Sequence, residues 1–275
     1  MTDPVLITAE DALADSQAVF IDATWFMPGA GQSEPERHIP GAVRLDIDAV
    51  ADPTSGLPHM APGAAAFERW MSEAGLDPVS RFIVYDSNGW LASARGWWTL
   101  RRFGLDARLL DGGLAAWQAA GGAVEAGPFA PREPKPLPPG AVSLIRDDTV
   151  TWRDVLEHVE RGDALIADAR PPGRFAGTDP EPRPGLASGH MPGAVSLPMG
   201  RLIEDGRFLR GEALAAALGE TDRSKPVICT CGSGVTAAVL FAGFTMAGFT
   251  DVRLYDGSWT EWASQGDLPI AAGER

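Results

Sequence analysis

The most regular feature of the sequence is an alternation of short apolar runs with longer segments of helical periodicity. Ala18–Asp22 and Arg81–Asp86 read as buried strands, and Ala64–Ala74 carries a helical pattern. The alternation returns in the second half, where Ala164–Asp168 and Pro226–Thr230 again have strand character. Strands that alternate with helices predict an α/β fold with a mainly parallel sheet and helices on both of its faces.

The two halves of the chain repeat one pattern. His38–Ala42 reads HIPGA and His190–Ala194 reads HMPGA, each after the first predicted strand of its half. Asp86 stands 145 positions before Cys231, and the sequences DARLLDG and DVRLYDG are separated by the same 145 positions. A shared spacing over several features indicates an internal duplication of one α/β unit.

A proline-rich segment separates the repeats. The sequence PFAPREPKPLPPG contains six prolines, which are incompatible with a helix or a central strand. We therefore predict an N-terminal domain over residues 1–126, a semi-rigid linker over 127–145 and a C-terminal domain over 146–275.

Composition and charge narrow the function classes. Hydrophobic residues make up 45% and charged residues 22% of the chain, as in ordinary soluble globular proteins. A net charge of −14 disfavours nucleic acid and anionic membranes as partners. The N-terminal sequence lacks a basic start and an apolar core, so no export signal is expected, and no membrane span is predicted.

The chain has only two cysteines, Cys229 and Cys231. They provide neither a disulfide framework nor four zinc ligands, so we expect a reducing, cytoplasmic setting, no metal and no cofactor. Cys229 lies within the predicted strand and reads as a small buried residue.

Cys231 occupies the junction between a buried strand and the start of a helix. Gly232 and Gly234 let the intervening backbone curl and direct several N–H groups at one point. Amide dipoles and a helix N-terminus favour a sulfur anion, which is the nucleophilic form of the thiol. The equivalent residue of the first repeat, Asp86, has no sulfur, so we expect the chemistry in the second repeat.

These features together resemble the rhodanese superfamily of sulfurtransferases. Within it, CGSGVT followed by YDGSW resembles the members that use 3-mercaptopyruvate. The resemblance implies that Cys231 takes sulfur from 3-mercaptopyruvate as a persulfide, releases pyruvate, and passes the sulfur to a thioredoxin-like protein, glutathione or cyanide. The loop implied to stabilise the persulfide consists of Gly232, Ser233, Gly234, Val235 and Thr236, although Thr236 also reads as a helix cap.

The resemblance also implies which residues bind the donor. Thiosulfate-using rhodaneses typically carry cations directly after the cysteine, whereas this chain has Gly232 and Ser233. The pattern GRF…GT-x-PEPR instead assigns Arg174 and Arg183 to the donor carboxylate and carbonyl, which suits the planar guanidinium fork. The alternative is that these arginines balance nearby acidic residues.

A histidine relay is a further implication. His38 matches a position proposed to exchange a proton with Ser233, and its acidic partner would be Glu34 or Glu36. His38 could instead be structural, and for His190 a structural role is the favoured interpretation.

Several alternatives remain open on the sequence alone. Trp25 and Trp259 either line the pocket or pack in the core. A thiosulfate sulfurtransferase is the nearest rival function, and a non-catalytic sulfur carrier would require Cys231 to be incidental. Cysteine phosphatases carry an arginine six residues after the cysteine, where this chain has Ala237, so phosphatase chemistry is not expected.

Overall fold

The computed structural model of the chain describes residues 5–27, 31–32 and 34–273, which divide into two compact units. The first unit contains the chain up to residue 54 and residues 61–147, and the second contains Ser55–Met60 and the chain from residue 148 onward. The proline-rich segment packs on the first unit, where the Lys135 N–H donates to the Ser72 carbonyl at 2.8 Å and the Ile145 N–H to the Arg102 carbonyl at 2.9 Å. The structural boundary therefore falls later than the predicted linker, and a short piece of the first repeat belongs to the second unit.

The first unit is built on a five-stranded parallel sheet. Its elements are β1 (Leu6–Ile7), α1 (Ala9–Ala14), β2 (Val19–Asp22), β3 (Arg37–His38), β4 (Val43–Arg44), α2 (Ala64–Glu73), β5 (Arg81–Tyr85), α3 (Ser93–Arg102), β6 (Asp106–Leu110), α4 (Gly113–Ala119) and β7 (Glu125–Ala126). The strand order is β1-β6-β5-β2-β4, and every neighbouring pair in this sheet is parallel.

The second unit repeats this arrangement. Its elements are β8 (Thr149–Val150), α5 (Trp152–Arg161), β9 (Leu165–Asp168), α6 (Pro172–Ala176), β10 (Val195–Ser196), a 3₁₀ helix (Met199–Leu202), β11 (Ile203–Glu204), β12 (Arg207–Phe208), α7 (Gly211–Leu218), β13 (Val227–Thr230), α8 (Ala237–Met246), β14 (Val252–Tyr255) and α9 (Ser258–Ser264). The sheet order β8-β14-β13-β9-β10 is that of the first unit, strand for strand. The predicted duplication and the predicted parallel α/β fold are confirmed.

Helices cover both faces of the first sheet because side chains alternate along each strand. Ile83 and Tyr85 of β5 share a buried cluster with α1 and α4, which includes Trp117. Val84 points to the opposite face, where its Cγ1 approaches Gly96 of α3. No helix within the described residues is long and apolar enough to span a membrane.

The second core has the same construction. Ile228 of β13 packs with Val155 of α5 and with Trp259 and Trp262 of α9. The helix α8 is apolar and buried over most of its length, which fits the glycine- and alanine-rich sequence that follows Cys231.

We expect Gly96→Ala to destabilise the protein although alanine favours helices. An added Cβ would lie 2.8 Å from the Ala23 Cβ and 3.1 Å from the Val84 Cγ1, so overpacking outweighs the gain in helix propensity. The expected net loss is about 1–2 kcal/mol, measured by chemical unfolding. Gly243→Ala is the control in α8, because its Cβ would lie 2.7 Å from the flexible Cδ1 end of Leu202 and at an ordinary contact distance of 3.6 Å from the Phe208 ring. Equal losses in both variants would contradict this interpretation of the packing.

Candidate active site

Cys231 directly follows β13, the central strand of the second sheet. The carboxyl ends of parallel strands are the usual place for reactive groups in such sheets, because the strand order leaves a crevice there. The Cys231 residue is 2% exposed. The predicted strand–loop–helix junction is therefore present, and it places the cysteine at the edge where chemistry is expected.

The loop after Cys231 turns sharply into α8. Gly234 has φ of +78°, a left-handed conformation that favours glycine. Within the described chain, the N–H groups of Val235 and Thr236 make no hydrogen bond with protein atoms. Thr236 occupies the N-cap position of α8 but forms no side-chain capping bond, so its predicted capping role is wrong. These groups are available to an anion on the cysteine sulfur.

The equivalent loop of the first unit shows what this backbone can bind. The Asp86 carboxylate stands in the position of Cys231 and is buried. It accepts hydrogen bonds from the N–H groups of Trp90 at 3.0 Å, Ala92 at 3.2 Å and Ser93 at 2.9 Å. The same fold element thus holds an anion at the carboxyl end of its central strand.

The start of α9 clamps the backbone of the cysteine loop. The Cys231 N–H donates to the Ser258 Oγ at 3.1 Å, and the Cys231 carbonyl accepts from the Trp259 N–H at 3.0 Å. The Gly232 carbonyl accepts from the Thr260 N–H at 2.9 Å and from the Thr260 Oγ1 at 2.6 Å. Four hydrogen bonds from three consecutive residues fix the direction in which Cys231 leaves the strand.

Ser258 holds its place in this clamp with a left-handed backbone, at φ of +51°. Gly113, its counterpart in the first unit, has φ of +57°, and there the next residue, Leu114, donates its N–H to the Asp86 carbonyl at 3.0 Å. A left-handed serine costs more than glycine. The hydroxyl compensates, because it binds the Cys231 N–H and donates to the Tyr255 carbonyl at 2.7 Å.

Arg174 lies against the cysteine loop from α6. A Cβ placed on Gly232 would lie 2.8 Å from the Arg174 Nη2, so a larger residue would displace the guanidinium from this position. The Arg174 Nη2 contacts the Glu181 Oε2 at 2.5 Å and its Nε contacts the Glu181 Oε1 at 3.3 Å. Arg174 therefore lies close to the loop and is also paired with an acidic residue, and its role as a donor-binding residue stays a prediction.

Arg170, four residues before Arg174, is buried and binds several groups of the segment between β9 and β10. Its guanidinium contacts the Asp168 Oδ2 at 2.6 Å, the Glu181 Oε1 at 2.9 Å and the Gly189 carbonyl at 2.8 Å. It also lies 4.5 Å from the centre of the Trp259 ring. Burial opposes the charge, but Asp168 and Glu181 outweigh it and raise the pKa of Arg170 above its ordinary value.

Arg183 joins the site through two neighbours within the second unit. Its Nη1 lies 3.5 Å from the Thr260 Oγ1, and that hydroxyl donates to the Gly232 carbonyl. Its Nη2 lies 3.2 Å from the Nε2 of His59, which belongs to the Ser55–Met60 piece of this unit. Because arginine only donates, the His59 Nε2 is the acceptor in this contact.

His38 is buried among backbone groups of the first unit. Its Nδ1 and Nε2 lie 3.2 Å from the carbonyls of Ile39 and Gly127, and its residue is 1% exposed. The carboxylate beside it is Glu125, at 3.5 Å, whereas Glu34 pairs with an arginine of β4. Both ring nitrogens are thus occupied by structural contacts.

Both HxPGA histidines have the same structural function. β3 pairs antiparallel with β7 through His38 and Glu125, and His190 bridges to Ala271 in the same sense. The His190 Nδ1 bonds to the Phe175 carbonyl at 2.8 Å, and its ring stacks on Phe175. Because both histidines take part in antiparallel backbone pairing, the HxPGA motif has a structural use in each repeat, whereas the cysteine occurs only in the second.

Trp25 and Trp259, the two residues predicted as possible pocket lining, are both buried. Trp259 is fully buried and its Nε1 donates to the Ala187 carbonyl at 2.9 Å, so it is a core residue rather than pocket lining. Trp25 is buried in the first unit, with its Nε1 bonded to the Asp48 Oδ2 at 2.9 Å. Burial raises the pKa of the Cys229 thiol well above its ordinary value, as does the adjacent Cys231. Ser233 is nearly buried, and its hydroxyl has no hydrogen-bond partner among the described residues.

Three residues of the site escaped sequence reasoning: His59, Ser258 and Thr260. His59 has φ of +60° and sits in an irregular loop, so no periodicity marks it. Ser258 belongs to the YDGSW segment and Thr260 directly follows it, and the replacement of Gly113 by serine between the repeats was the available signal. No cluster of metal-ligating side chains occurs in the described parts of the chain.

Comparison with known proteins identifies the family. The rhodanese-like domain matches residues 8–120 and 151–265, once in each repeat. The 3-mercaptopyruvate sulfurtransferase of Escherichia coli K12 is 39% identical over 266 residues, which cover 93% of this chain and 92% of that protein. The thiosulfate/3-mercaptopyruvate sulfurtransferase 1 of Arabidopsis thaliana is 37% identical over 287 residues, with coverage of 95% and 76%.

Solved structures agree with this assignment. The Tum1 protein of Saccharomyces cerevisiae superimposes with a TM-score of 0.89 at 31% identity, and the match covers 100% of both chains. With a rhodanese-like domain in each half and the cysteine-centred loop in the second, the chain belongs to the rhodanese family.

Proposed function

We propose that the protein transfers sulfur from 3-mercaptopyruvate to a thiol or cyanide through a persulfide on Cys231. The observation that carries this proposal is the position of Cys231 in an amide loop flanked by Arg174 and Arg183. The loop offers N–H groups to a diffuse sulfur anion, Arg174 lies beside Gly232, and Arg183 lies 3.5 Å from the Thr260 hydroxyl that binds the Gly232 carbonyl. The substrate named for the Escherichia coli relative supports the choice of donor.

The first half-reaction forms the persulfide. The Cys231 thiolate attacks the donor sulfur, an S–S bond forms, and the bond between sulfur and the methylene carbon breaks. The electron pair leaves with the enolate of pyruvate, which takes up the proton lost from the donor thiol to become pyruvate. The N–H groups of Val235 and Thr236 then stabilise the negative charge on the outer sulfur.

Donor binding is assigned to the two arginines. Arg183 is oriented by His59 on one nitrogen and by Thr260 on another, which fixes its plane relative to Gly232. Holding the carboxylate in this plane places the donor sulfur near Cys231 and reduces the entropic part of the barrier. His59 therefore takes the place near the donor that the sequence assigned to His38.

The second half-reaction discharges the persulfide. An acceptor thiolate or cyanide attacks the outer sulfur and the Cys231 thiolate leaves, which restores the enzyme. A thioredoxin-like protein or glutathione is the proposed physiological acceptor, and cyanide serves as an assay acceptor. The two free cysteines fit a reducing compartment, and we propose the cytoplasm.

Intact-mass analysis tests the intermediate and the donor. After treatment with 3-mercaptopyruvate we expect one added sulfur, about 32 Da, on Cys231, because Cys229 is buried in the strand and its thiol is held protonated. The specificity constant for 3-mercaptopyruvate is expected to exceed that for thiosulfate. Sulfur addition on Cys229, or a preference for thiosulfate, would contradict the proposal.

The two histidines give a paired test. We expect His59→Gln to lower kcat/KM for 3-mercaptopyruvate about tenfold with little change in stability, because Arg183 loses its oriented partner. His38→Gln should lower the free energy of unfolding by about 1–3 kcal/mol and leave kcat unchanged, because buried hydrogen bonds are lost. Steady-state kinetics and chemical unfolding measure both effects, and the opposite pattern would restore the relay predicted from sequence.

Ser258 tests whether the backbone clamp serves catalysis. Ser258→Ala and Ser258→Gly both remove the hydroxyl that binds the Cys231 N–H, so persulfide formation in a single turnover should slow about tenfold in each. Only the glycine variant relieves the left-handed strain, and it should be more stable than the alanine variant by about 1 kcal/mol. Unchanged single-turnover rates in both variants would limit Ser258 to a structural role.

A further inference from the structure

Glu181 is a buried carboxylate between two guanidinium groups. Its side chain is 2% exposed, and it contacts the Arg170 Nη1 at 2.9 Å and the Arg174 Nη2 at 2.5 Å. Arg174 is more accessible, with 17% of its side chain exposed, and it is the member of the pair that reaches Gly232. A carboxylate is thus fixed directly behind the cation nearest the cysteine loop.

The four charges of this cluster balance. Asp168 and Glu181 carry two negative charges, and Arg170 and Arg174 carry two positive charges. Because the pairs are largely removed from water, their charges are weakly screened, and Glu181 cancels much of the field that Arg174 would exert on a ligand.

Glu181 also limits how Arg174 can bind. The Nε and Nη2 of Arg174 both contact the Glu181 carboxylate, so this edge of the fork is occupied. Among the described residues the Arg174 Nη1 has no hydrogen-bond partner, and it lies 3.6 Å from the Cβ position of Gly232. Glu181 therefore neutralises much of the positive charge of Arg174 and occupies its Nε and Nη2 groups. Only the Nη1 group is left to bind a donor, so Arg174 does not offer a bidentate, fully charged guanidinium.

We propose that Glu181 is a specificity-determining residue that reduces the positive charge beside Gly232 and so favours donors with one negative charge over donors with two. This inference rests on the proposed function. 3-Mercaptopyruvate carries one carboxylate, whereas thiosulfate carries two charges and leaves as sulfite after the sulfur is transferred. A doubly charged donor needs more uncompensated cation than this loop provides.

The fold around Glu181 should survive the loss of its charge, because Arg170 has other partners. Arg170 keeps Asp168, the Gly189 carbonyl and the Trp259 ring, and glutamine retains the shape of the side chain. Glu181→Gln should therefore fold, while one positive charge beside Gly232 becomes uncompensated.

The first experiment compares donors. In Glu181→Gln we expect the ratio of kcat/KM for thiosulfate to that for 3-mercaptopyruvate to rise about tenfold or more. Glu157→Gln is the matched control, because Glu157 is exposed and pairs with Arg161 on the surface of α5. The control ratio should stay within about twofold of the wild type. An unchanged or lower ratio in Glu181→Gln would overturn the proposal.

The second experiment needs no donor. Cys231 is alkylated with iodoacetate, which is an anion, and with iodoacetamide, which is neutral, and the site is verified by peptide mass. The ratio of the two rates should rise several-fold in Glu181→Gln and fall back as salt is added. A ratio equal to that of the wild type would mean that Glu181 only orients Arg174. If the wild type transferred no sulfur from 3-mercaptopyruvate, the proposed function would fail while this measurement still judged the charge effect of Glu181.

Discussion

The arrangement of the segments around the cysteine loop depends on the contacts of one buried group, the Arg170 guanidinium. It neutralises the carboxylate at the end of β9, binds the Gly189 carbonyl, covers the Trp259 ring and fixes Glu181. A buried arginine is tolerated only when its donors are satisfied, and here carboxylates and a carbonyl satisfy them. Arg170 contacts Trp259 of the α9 clamp on one side of the cysteine loop. On the other side it contacts Glu181, which in turn binds Arg174.

The loop that follows Cys231 makes its contacts mainly through backbone groups. The backbone groups around Cys231 are fixed by α8 and α9. Backbone dipoles in fixed positions stabilise charge without reorganising during the reaction. The cations near the loop, Arg174 and Arg183, belong to segments outside it, and the loop itself is neutral and glycine-rich.

The two repeats show how one backbone serves two purposes. In the first unit Asp86 fills the amide loop with its own carboxylate, and Gly113 adopts the left-handed turn without strain. In the second unit Cys231 replaces the aspartate, and Ser258 adopts a left-handed backbone while its hydroxyl binds the Cys231 N–H. The first loop therefore binds its own aspartate side chain, whereas the second carries a cysteine at the same position.

Much of the fold and part of the site were determined by the sequence alone. Apolar alternation is a local property, so the strands, the duplication and the place of Cys231 at a strand end could be read directly. The position of Arg174 followed from a motif in a short segment. Such features need no knowledge of which distant residues meet.

Only the tertiary structure decided the remaining contacts. His59 lies 124 residues from Arg183 in the chain and reaches it because a short piece of the first repeat folds with the second unit. His38 carries the more conspicuous motif, yet strand pairing buries it against Gly127. Sequence patterns report periodicity along the chain, whereas partners such as Glu181 for Arg174 depend on where loops pack in space.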